Sequence, residues 1–240
     1  MIGSLSTDAE VAKHHLQAII DEEFLALPAA VLDAGCGAES PVKAPPGAHI
    51  TGIDVSEKQL MRNASLDEKI LGDLETYPLK RQFDLAICWD VLEHLDDPEA
   101  ACRNMWSALR ENGLLVLGFP NTASVKGMIT RLTPHWFHVF AYRRVFGMPL
   151  AGTEDHAPFP IRYRPFVAPS AIRAFAHHRE ADIVVFGFYE NPMQARLIDQ
   201  RPLLGGAFER LAILVETATR GRISARDTDC IVVLRKPPSD

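Results

Sequence analysis

Asp90, Glu93 and His94 are residue types that can move a proton or hold a metal ion, and they stand close together in the chain. If this segment forms a helical turn, their i, i+3 and i+4 spacing places the three side chains on one face. In one interpretation His94 is a general base within a catalytic segment that includes Glu93, because the ordinary histidine pKa of about 6.5 suits proton transfer near neutral pH. In a second, the three residues bind a divalent cation, with His156 as a fourth ligand. In a third, His94 has a structural role only.

A turn with two glycines marks a second candidate site. The apolar run at 31–32 leads into Asp33, and Gly35 and Gly37 follow with Cys36 between them. Glycines let the backbone turn sharply and approach a ligand without a Cβ in the way. In open α/β sheets, ligands lie beyond the carboxyl ends of the strands, where strand order reverses. The turn therefore predicts a ligand site at the end of a first strand.

The elements that position these residues follow from short apolar segments separated by helical stretches. Strands are predicted near 31–34, 49–54, 69–73, 83–90, 114–119, 182–189 and 229–235. Helices are predicted near 8–27, 56–61, 97–113, 170–178 and 204–217. Strands that alternate with helices at these spacings indicate a parallel sheet with helices on both faces. We expect one domain over 1–240, with an N-terminal helical segment at 1–28.

Composition narrows the class of protein and of partner. The chain has 240 residues, a formal net charge of −6 and 47% hydrophobic residues, as is typical of globular proteins. The acidic balance argues against a nucleic-acid partner, because phosphate binding relies on clustered basic residues. The four scattered cysteines, the absence of a leader-like start and the absence of an 18-residue apolar run predict a reduced, cytoplasmic protein. The oligomeric state is left open.

An aromatic-rich insertion follows the fifth predicted strand, at 121–168, where the pattern becomes irregular. One interpretation is a lid that forms a wall of a substrate pocket. A satellite core under a loop is an equal alternative. A third is shallow contact with a membrane, because Arg143 and Arg144 flank the aromatic residues, although membrane contact is not favoured.

Four motifs together resemble the class I S-adenosylmethionine-dependent methyltransferases, in the small-molecule branch that includes quinone-biosynthesis O-methyltransferases. They are the segments 32–37, 52–56, 72–74 and 83–95, with sequences LDAGCG, GIDVS, GDL and FDLAICWDVLEHL. The resemblance implies a Rossmann-like, doubly wound, seven-stranded and mostly parallel sheet. It departs from the family at Glu39, where a third glycine is common. A nicotinamide-binding turn would instead need glycine at Ser40.

The resemblance implies S-adenosylmethionine as cofactor and assigns its contacts. Asp33 would meet the ammonium group, the turn Gly35-Cys36-Gly37 the methionine moiety, and Asp54 both ribose hydroxyls. The remaining expected contacts are Asp73 to the adenine amino group, Val55 and Leu74 to the faces of the adenine ring, and Trp89 near the sulfonium.

The expected reaction is transfer of the methyl group to an oxygen, or less often to a nitrogen or carbon, of a small organic acceptor. Two alternatives stay open: a cofactor-binding protein of this fold without transfer activity, and a metal-assisted RNA 2′-O-methyltransferase, which the acidic charge disfavours. A divalent metal is not favoured, because Asp90 replaces the first glutamate of the E-x-x-E-H pattern of metal-binding relatives with a shorter side chain.

Overall fold

Seven strands form one continuous sheet in a computed structural model that describes residues 8–25, 29–153, 156–192, 194 and 202–238. The strands are β1 (Ala30–Ala34), β2 (His49–Asp54), β3 (Glu68–Leu71), β4 (Phe83–Trp89), β5 (Leu109–Pro120), β6 (Asp182–Tyr189) and β7 (Asp229–Arg235). Their order across the sheet is β3-β2-β1-β4-β5-β7-β6. The expected doubly wound, mostly parallel, seven-stranded sheet is confirmed.

The strand order reverses between β1 and β4, where the chain moves from one half of the sheet to the other. Asp33 of β1 pairs in register with Gly52 of β2 on one side and Ile87 of β4 on the other, and all three strands run parallel. Only β7 is antiparallel to its neighbours β5 and β6. A parallel sheet with this reversal has a crevice at the carboxyl ends of β1 and β4, and ligands of such folds bind there.

Helices cover both faces of the sheet. They are α1 (Ala9–Glu23), α2 (Glu57–Arg62), α3 (Pro98–Ala108), α4 (Val125–Leu132), α5 (His135–Arg144), α6 (Pro169–His178) and α7 (Pro202–Ala218). The caps predicted for the first helices are present, because Asp8 accepts from the amides of Glu10 and Val11, and Asp97 accepts from Ala100. The segment 1–7, the N-terminal part of the predicted first helical region, lies outside the described residues, as does 26–28.

Alternating side chains of the central strands pack in two apolar layers. Leu32, Ala86 and Leu115 face the layer that contains α3 and α6. Val31, Leu85 and Val116 face the layer that contains α1. Burial on both faces explains why these strands read as continuous apolar runs rather than alternating ones.

The insertion at 121–168 contains two helices, α4 and α5, where the sequence predicted irregular structure. Ser124 starts α4 by accepting a hydrogen bond of 2.9 Å from the amide of Gly127. In α5, apolar and basic residues are distributed around the whole helix and none is fully buried. Without a single apolar face the helix gives no periodic signal, so the pattern of 135–144 could not predict it. Strand β5 also begins at Leu109, earlier than predicted, because Leu109 pairs with Phe83 of β4.

Candidate active site

The glycine turn after β1 packs so closely against neighbouring side chains that neither glycine has room for a Cβ. Gly35 and Gly37 have φ of +70° and +52°, the left-handed region that side chains rarely adopt. A Cβ on Gly35 would lie 2.4 Å from Cγ2 of Val91. A side chain also fixes the turn: the amide of Asn63 donates hydrogen bonds of 3.3 Å to the carbonyl oxygens of Cys36 and Gly37. Asn63 was not predicted as a site residue.

Asp54 ends β2 directly beside this turn. Its Oδ2 accepts a hydrogen bond of 2.9 Å from the amide of Gly37, and its Oδ1 accepts one of 2.8 Å from the amide of Ser56. A carboxylate has about four lone-pair sites, so each oxygen can accept one more donor. The half-buried carboxylate of Asp54 is thereby fixed in orientation and can still bind a pair of hydroxyl groups.

Asp33 lies at the end of β1 with 6% of its surface exposed. Burial, and then the nearby carboxylate of Asp54, raise its pKa to about 7. A buried carboxyl group with this pKa gains its charge readily when a cation is placed beside it. The position therefore suits a ligand that carries an ammonium group.

The other residues predicted to contact a cofactor fall into two groups. Asp73 and Val55 are exposed at the sheet edge, Val55 with 73% of its surface. Leu74 is buried in the apolar layer that contains α3. Cys36 is buried against β2, where its sulfur would lie 2.8 Å from a Cβ built on Gly52. Trp89 packs across Gly118 on the α1 side of the sheet, with its ring centroid 6.4 Å from that of Tyr189. Among these residues, Asp73 and Val55 present side chains to the outside.

Asp90, Glu93 and His94 follow β4, as the sequence predicted. Leu92–His94 form a single 3-10 turn and not the full helical turn that the spacing required. The side chains of Asp90, Glu93 and His94 nevertheless line the same cavity. The turn after β4 begins with backbone strain, because Asp90 has φ of +54°. Asp90 is enclosed by protein on most sides, yet its side chain is exposed to the open cavity.

The hydrogen bond of His94 defines its tautomer. Nδ1 lies 2.8 Å from the carbonyl oxygen of Pro160, which can only accept, so Nδ1 carries the proton. The neutral ring then has its lone pair on Nε2, and Nε2 lies 3.9 Å from Oε1 of Glu93. Burial lowers the pKa of His94 below its usual 6.5, which favours the neutral form at pH 7. The ring can therefore accept a proton at Nε2.

Glu93 and Asp90 are carboxyl groups that resist ionisation. Glu93 is 4% exposed, and its Oε2 is buried without a hydrogen-bond partner among the described residues. Burial, and then the charge of Asp90, raise the pKa of Glu93 well above its usual value. Burial, and then Asp229, raise the pKa of Asp90 to about 6. Two neighbouring carboxyl groups with raised pKa values are a common property of functional sites.

Asp229 and Lys126 complete the polar part of this cavity, and the sequence analysis did not single them out. Nζ of Lys126 lies 2.9 Å from Oδ2 of Asp229, whose side chain is 3% exposed. The hydroxyl of Thr228 and the amide of Asn191 also donate to Asp229, at 2.6 and 3.3 Å. Their position follows from the antiparallel pairing of β7 with β5, which brings Asp229 opposite Pro120.

The cavity has a volume of about 430 Å³, which suits a small organic molecule. Its polar groups include Asp90, Glu93, His94, Lys126 and Asp229. Most of the remaining wall is apolar and comes from the insertion at 121–168, including Phe137, Tyr142, Phe146, Phe159 and Tyr163. Residues of the insertion thus form one wall of this cavity.

His156 does not join these residues. It is exposed, its Nδ1 lies 3.1 Å from the hydroxyl of Thr153, and it does not line the cavity. Within the described ranges, no group of three or more histidine, cysteine, aspartate or glutamate side chains is arranged to hold a metal ion.

Comparisons with known proteins indicate a methyltransferase domain. A family model described as a methyltransferase domain matches residues 32–117, from β1 into β5. The ubiquinone biosynthesis O-methyltransferase of Pseudomonas aeruginosa is 28% identical over 177 residues, which cover 68% of this chain and 69% of the relative. The mitochondrial enzyme of the same name from Schizosaccharomyces pombe is 30% identical over 130 residues, or 46% of this chain and 47% of the relative.

Solved structures share the fold over nearly the whole chain. Magnesium protoporphyrin IX methyltransferase from Synechocystis has a TM-score of 0.52 and 15% identity, covering 93% of this chain and 77% of its own. The N-methyltransferase NodS from Bradyrhizobium japonicum has a TM-score of 0.51 and 16% identity, covering 98% and 91%. Residues 32–117 thus match a methyltransferase domain, and the fold of the chain is that of solved methyltransferases. In the part of the chain described here, no helix is both long and apolar enough to cross a membrane.

Proposed function

We propose that this enzyme methylates an oxygen atom of a small organic acceptor that binds in the 430 Å³ cavity, with His94 as general base. The observation that carries the proposal is the hydrogen bond from Nδ1 of His94 to the carbonyl oxygen of Pro160, which leaves Nε2 to accept a proton inside the cavity. The name shared by the curated relatives, ubiquinone biosynthesis O-methyltransferase, supports oxygen as the methylated atom.

The cofactor residues fit S-adenosylmethionine. Gly35 and Gly37 give the turn a left-handed backbone without side chains of its own at these positions, Asp54 presents two oriented oxygens suited to ribose hydroxyls, and Asp33 suits the ammonium group. We assign the adenine amino group to Asp73 and one face of the adenine ring to the exposed Val55. The buried side chains of Leu74, Cys36 and Trp89 would support the site from within. When bound, the cofactor supplies an electrophilic methyl group on a sulfonium.

The protein's own residues would prepare the acceptor. Nε2 of His94 takes the hydroxyl proton as the acceptor oxygen becomes a nucleophile, and the aromatic wall excludes water. Burial, and then the charge of Asp90, raise the pKa of Glu93 and so favour its protonated form, which can hydrogen-bond the acceptor oxygen from the cavity wall. Holding donor and acceptor in line is itself worth up to about 7 to 11 kcal/mol in well-oriented model systems.

The experiment is an assay with methyl-labelled S-adenosylmethionine and a panel of phenols, carboxylic acids and amines, with the labelled atom located by NMR. Label on a phenol or carboxylate oxygen supports the proposal. Label on amine nitrogen alone would overturn the oxygen assignment and leave the methyltransferase class intact. The position of the label therefore tests the proposed oxygen acceptor separately from methyltransferase activity.

A further inference from the structure

We propose that a second, basic cavity beside the acceptor cavity binds an anionic group of the acceptor, a carboxylate or a phosphate; this rests on the proposed function. The second cavity has a volume of about 210 Å³ and is lined by Thr130, Arg131, Thr133, His135, His138, Ile161, Arg162 and Tyr163. A water molecule occupies about 30 Å³ in the liquid, so the space is ample for a carboxylate or phosphate group.

The two cavities adjoin each other. Thr130, His138, Ile161 and Tyr163 line both of them. An acceptor with one end near His94 that extends past these four shared residues would place its other end in the basic cavity. The acceptor that this shape admits has an aromatic or aliphatic body between its reacting oxygen and its anionic group.

The second cavity carries cationic donors that the protein leaves available. The guanidinium of Arg131 has no ion pair or hydrogen bond within the described part of the chain. Arg162 pairs with Asp96, but Arg164 pairs with the same carboxylate, so two guanidiniums share one negative charge. The described lining contains no acidic residue. Guanidinium groups bind carboxylates and phosphates in bidentate fashion.

Neutral polar groups complete the recognition surface. Nε2 of His138 lies 2.7 Å from the hydroxyl of Thr133, and Nδ1 of His135 is buried without a partner among the described residues. The hydroxyl of Thr133 donates to the carbonyl oxygen of Ile129 at 2.7 Å, so Nε2 of His138 donates to that hydroxyl, and His135 is the imidazole left to donate to an anion. The buried, unpartnered nitrogen of His135 is the group that a ligand oxygen would satisfy.

Charge also sets the direction in which an acceptor enters. Asp90, Glu93 and Asp229 lie in the acceptor cavity. The cation there, Lys126, is paired with Asp229, so an anionic group would meet carboxyl groups. Arg131 and Arg162 lie in the neighbouring one. An acceptor with a hydroxyl at one end and an anion at the other is therefore oriented with its hydroxyl toward His94.

Fluorine NMR titrations of the full chain, in the presence of saturating S-adenosylhomocysteine, test the proposal. The probes are fluorobenzoate, fluorophenyl phosphate and the neutral isostere fluorobenzamide. We expect at least one anionic probe to bind tenfold or more tightly than the amide, and Arg131→Gln to remove that preference. Arg131→Lys should keep part of it. Arg144→Gln, an exposed arginine of α5 outside both cavities, should keep all of it.

Equal binding of all three probes, or an anion preference that survives Arg131→Gln, would overturn the anionic subsite. The anionic probe with the greater preference distinguishes carboxylate from phosphate. Calorimetry of S-adenosylhomocysteine on the same samples keeps the two proposals separate. If the wild-type protein binds S-adenosylhomocysteine and methylates oxygen but shows no preference for anionic probes, only the anionic-subsite proposal is contradicted.

Discussion

Nδ1 of His94 donates to the carbonyl oxygen of Pro160 at 2.8 Å, across 66 residues of sequence. The backbone amide of Arg162 also donates to the carbonyl oxygen of Glu93 at 2.8 Å. The insertion is thus fastened to the turn after β4 at two adjacent points. It both closes the acceptor cavity and fixes which nitrogen of His94 can take a proton.

Replacement of His94 by alanine should lower kcat by about 100-fold or more, the usual range for a lost general base. Affinity for S-adenosylhomocysteine should change less than twofold, because His94 lies in the acceptor cavity. His178→Ala, an exposed histidine of α6, is the matched control. Steady-state kinetics together with calorimetry measure both quantities. Turnover unchanged in His94→Ala would remove this residue from catalysis.

Gly35→Ala should weaken both the fold and cofactor binding. Left-handed backbone costs a non-glycine residue about 1–2 kcal/mol, and the new Cβ would also meet Val91 at 2.4 Å. Gly47→Ala is a matched control, since Gly47 has a similar φ of +75° with nothing within 4 Å of its Cβ position. Urea unfolding should show a greater loss for Gly35→Ala.

The double variant Gly35→Ala, Val91→Ala tests the contact itself. It should recover the part of the loss that exceeds that of Gly47→Ala, because the alanine at 91 removes the methyl groups that clash. Equal free energies of unfolding for the Gly35 and Gly47 variants would show that the contact with Val91 contributes nothing.

Cofactor binding should strengthen as the pH rises through about 7. Asp33 has a pKa of about 7 in the folded protein, so below that pH it is largely protonated and cannot pair with an ammonium group. S-adenosylhomocysteine affinity should therefore rise between pH 6 and pH 8 and level off above it. Calorimetry across this range measures the effect. Asp33→Asn should bind weakly with a flat profile, and a flat wild-type profile would contradict the assignment.

The same carboxyl group should oppose folding at high pH. Its folded pKa lies above the unfolded value of about 3.8, so folding binds a proton, and stability from this group is lost as pH rises from about 4 through 7. Three pKa units set an upper bound of about 4 kcal/mol. Asp33→Asn should thus raise the unfolding free energy more at pH 8 than at pH 5, as thermal denaturation at the two pH values can show.

Lys126→Met should destabilise the protein by about 3 kcal/mol, because it leaves the buried carboxylate of Asp229 without its cation. The pKa of Asp90 should rise further, since Lys126 is one of the cations that lower it. Arg226→Gln breaks an exposed ion pair with Glu209 and should cost less than about 1 kcal/mol. Similar losses in the two variants, measured by urea unfolding, would show that the buried pair is no stronger than an exposed one.

The cofactor half of the site was predictable from sequence because it is local. Asp33 and Gly35 lie within one turn, and Asp54 follows the next strand in the chain, so strand-end acids and glycine spacing suffice to predict their proximity. Hydrophobic runs buried on both faces also predicted the central strands. Sequence patterns of this kind report contacts between neighbouring elements.

The acceptor half was predictable only in part. Lys126 and Asp229 are 103 residues apart, and their pairing depends on the antiparallel return of β7 along β5. The tautomer of His94 depends on a carbonyl in the insertion, whose helix α5 lacks an apolar face. Neither relationship leaves a periodic or spacing signal, so both had to come from the tertiary structure.

Calorimetric titration of S-adenosylhomocysteine tests the central claim, which is that the cofactor binds at the carboxyl ends of β1, β2 and β3. The account predicts one bound molecule per chain, with at least tenfold weaker binding in Asp54→Asn. Asp67→Asn is the control: the Asp67 carboxylate also accepts a hydrogen bond from a backbone amide of β2, that of Ile50, but at the opposite end of the strand, so affinity should be unchanged. A folded wild-type protein that binds neither S-adenosylhomocysteine nor S-adenosylmethionine would contradict the claim.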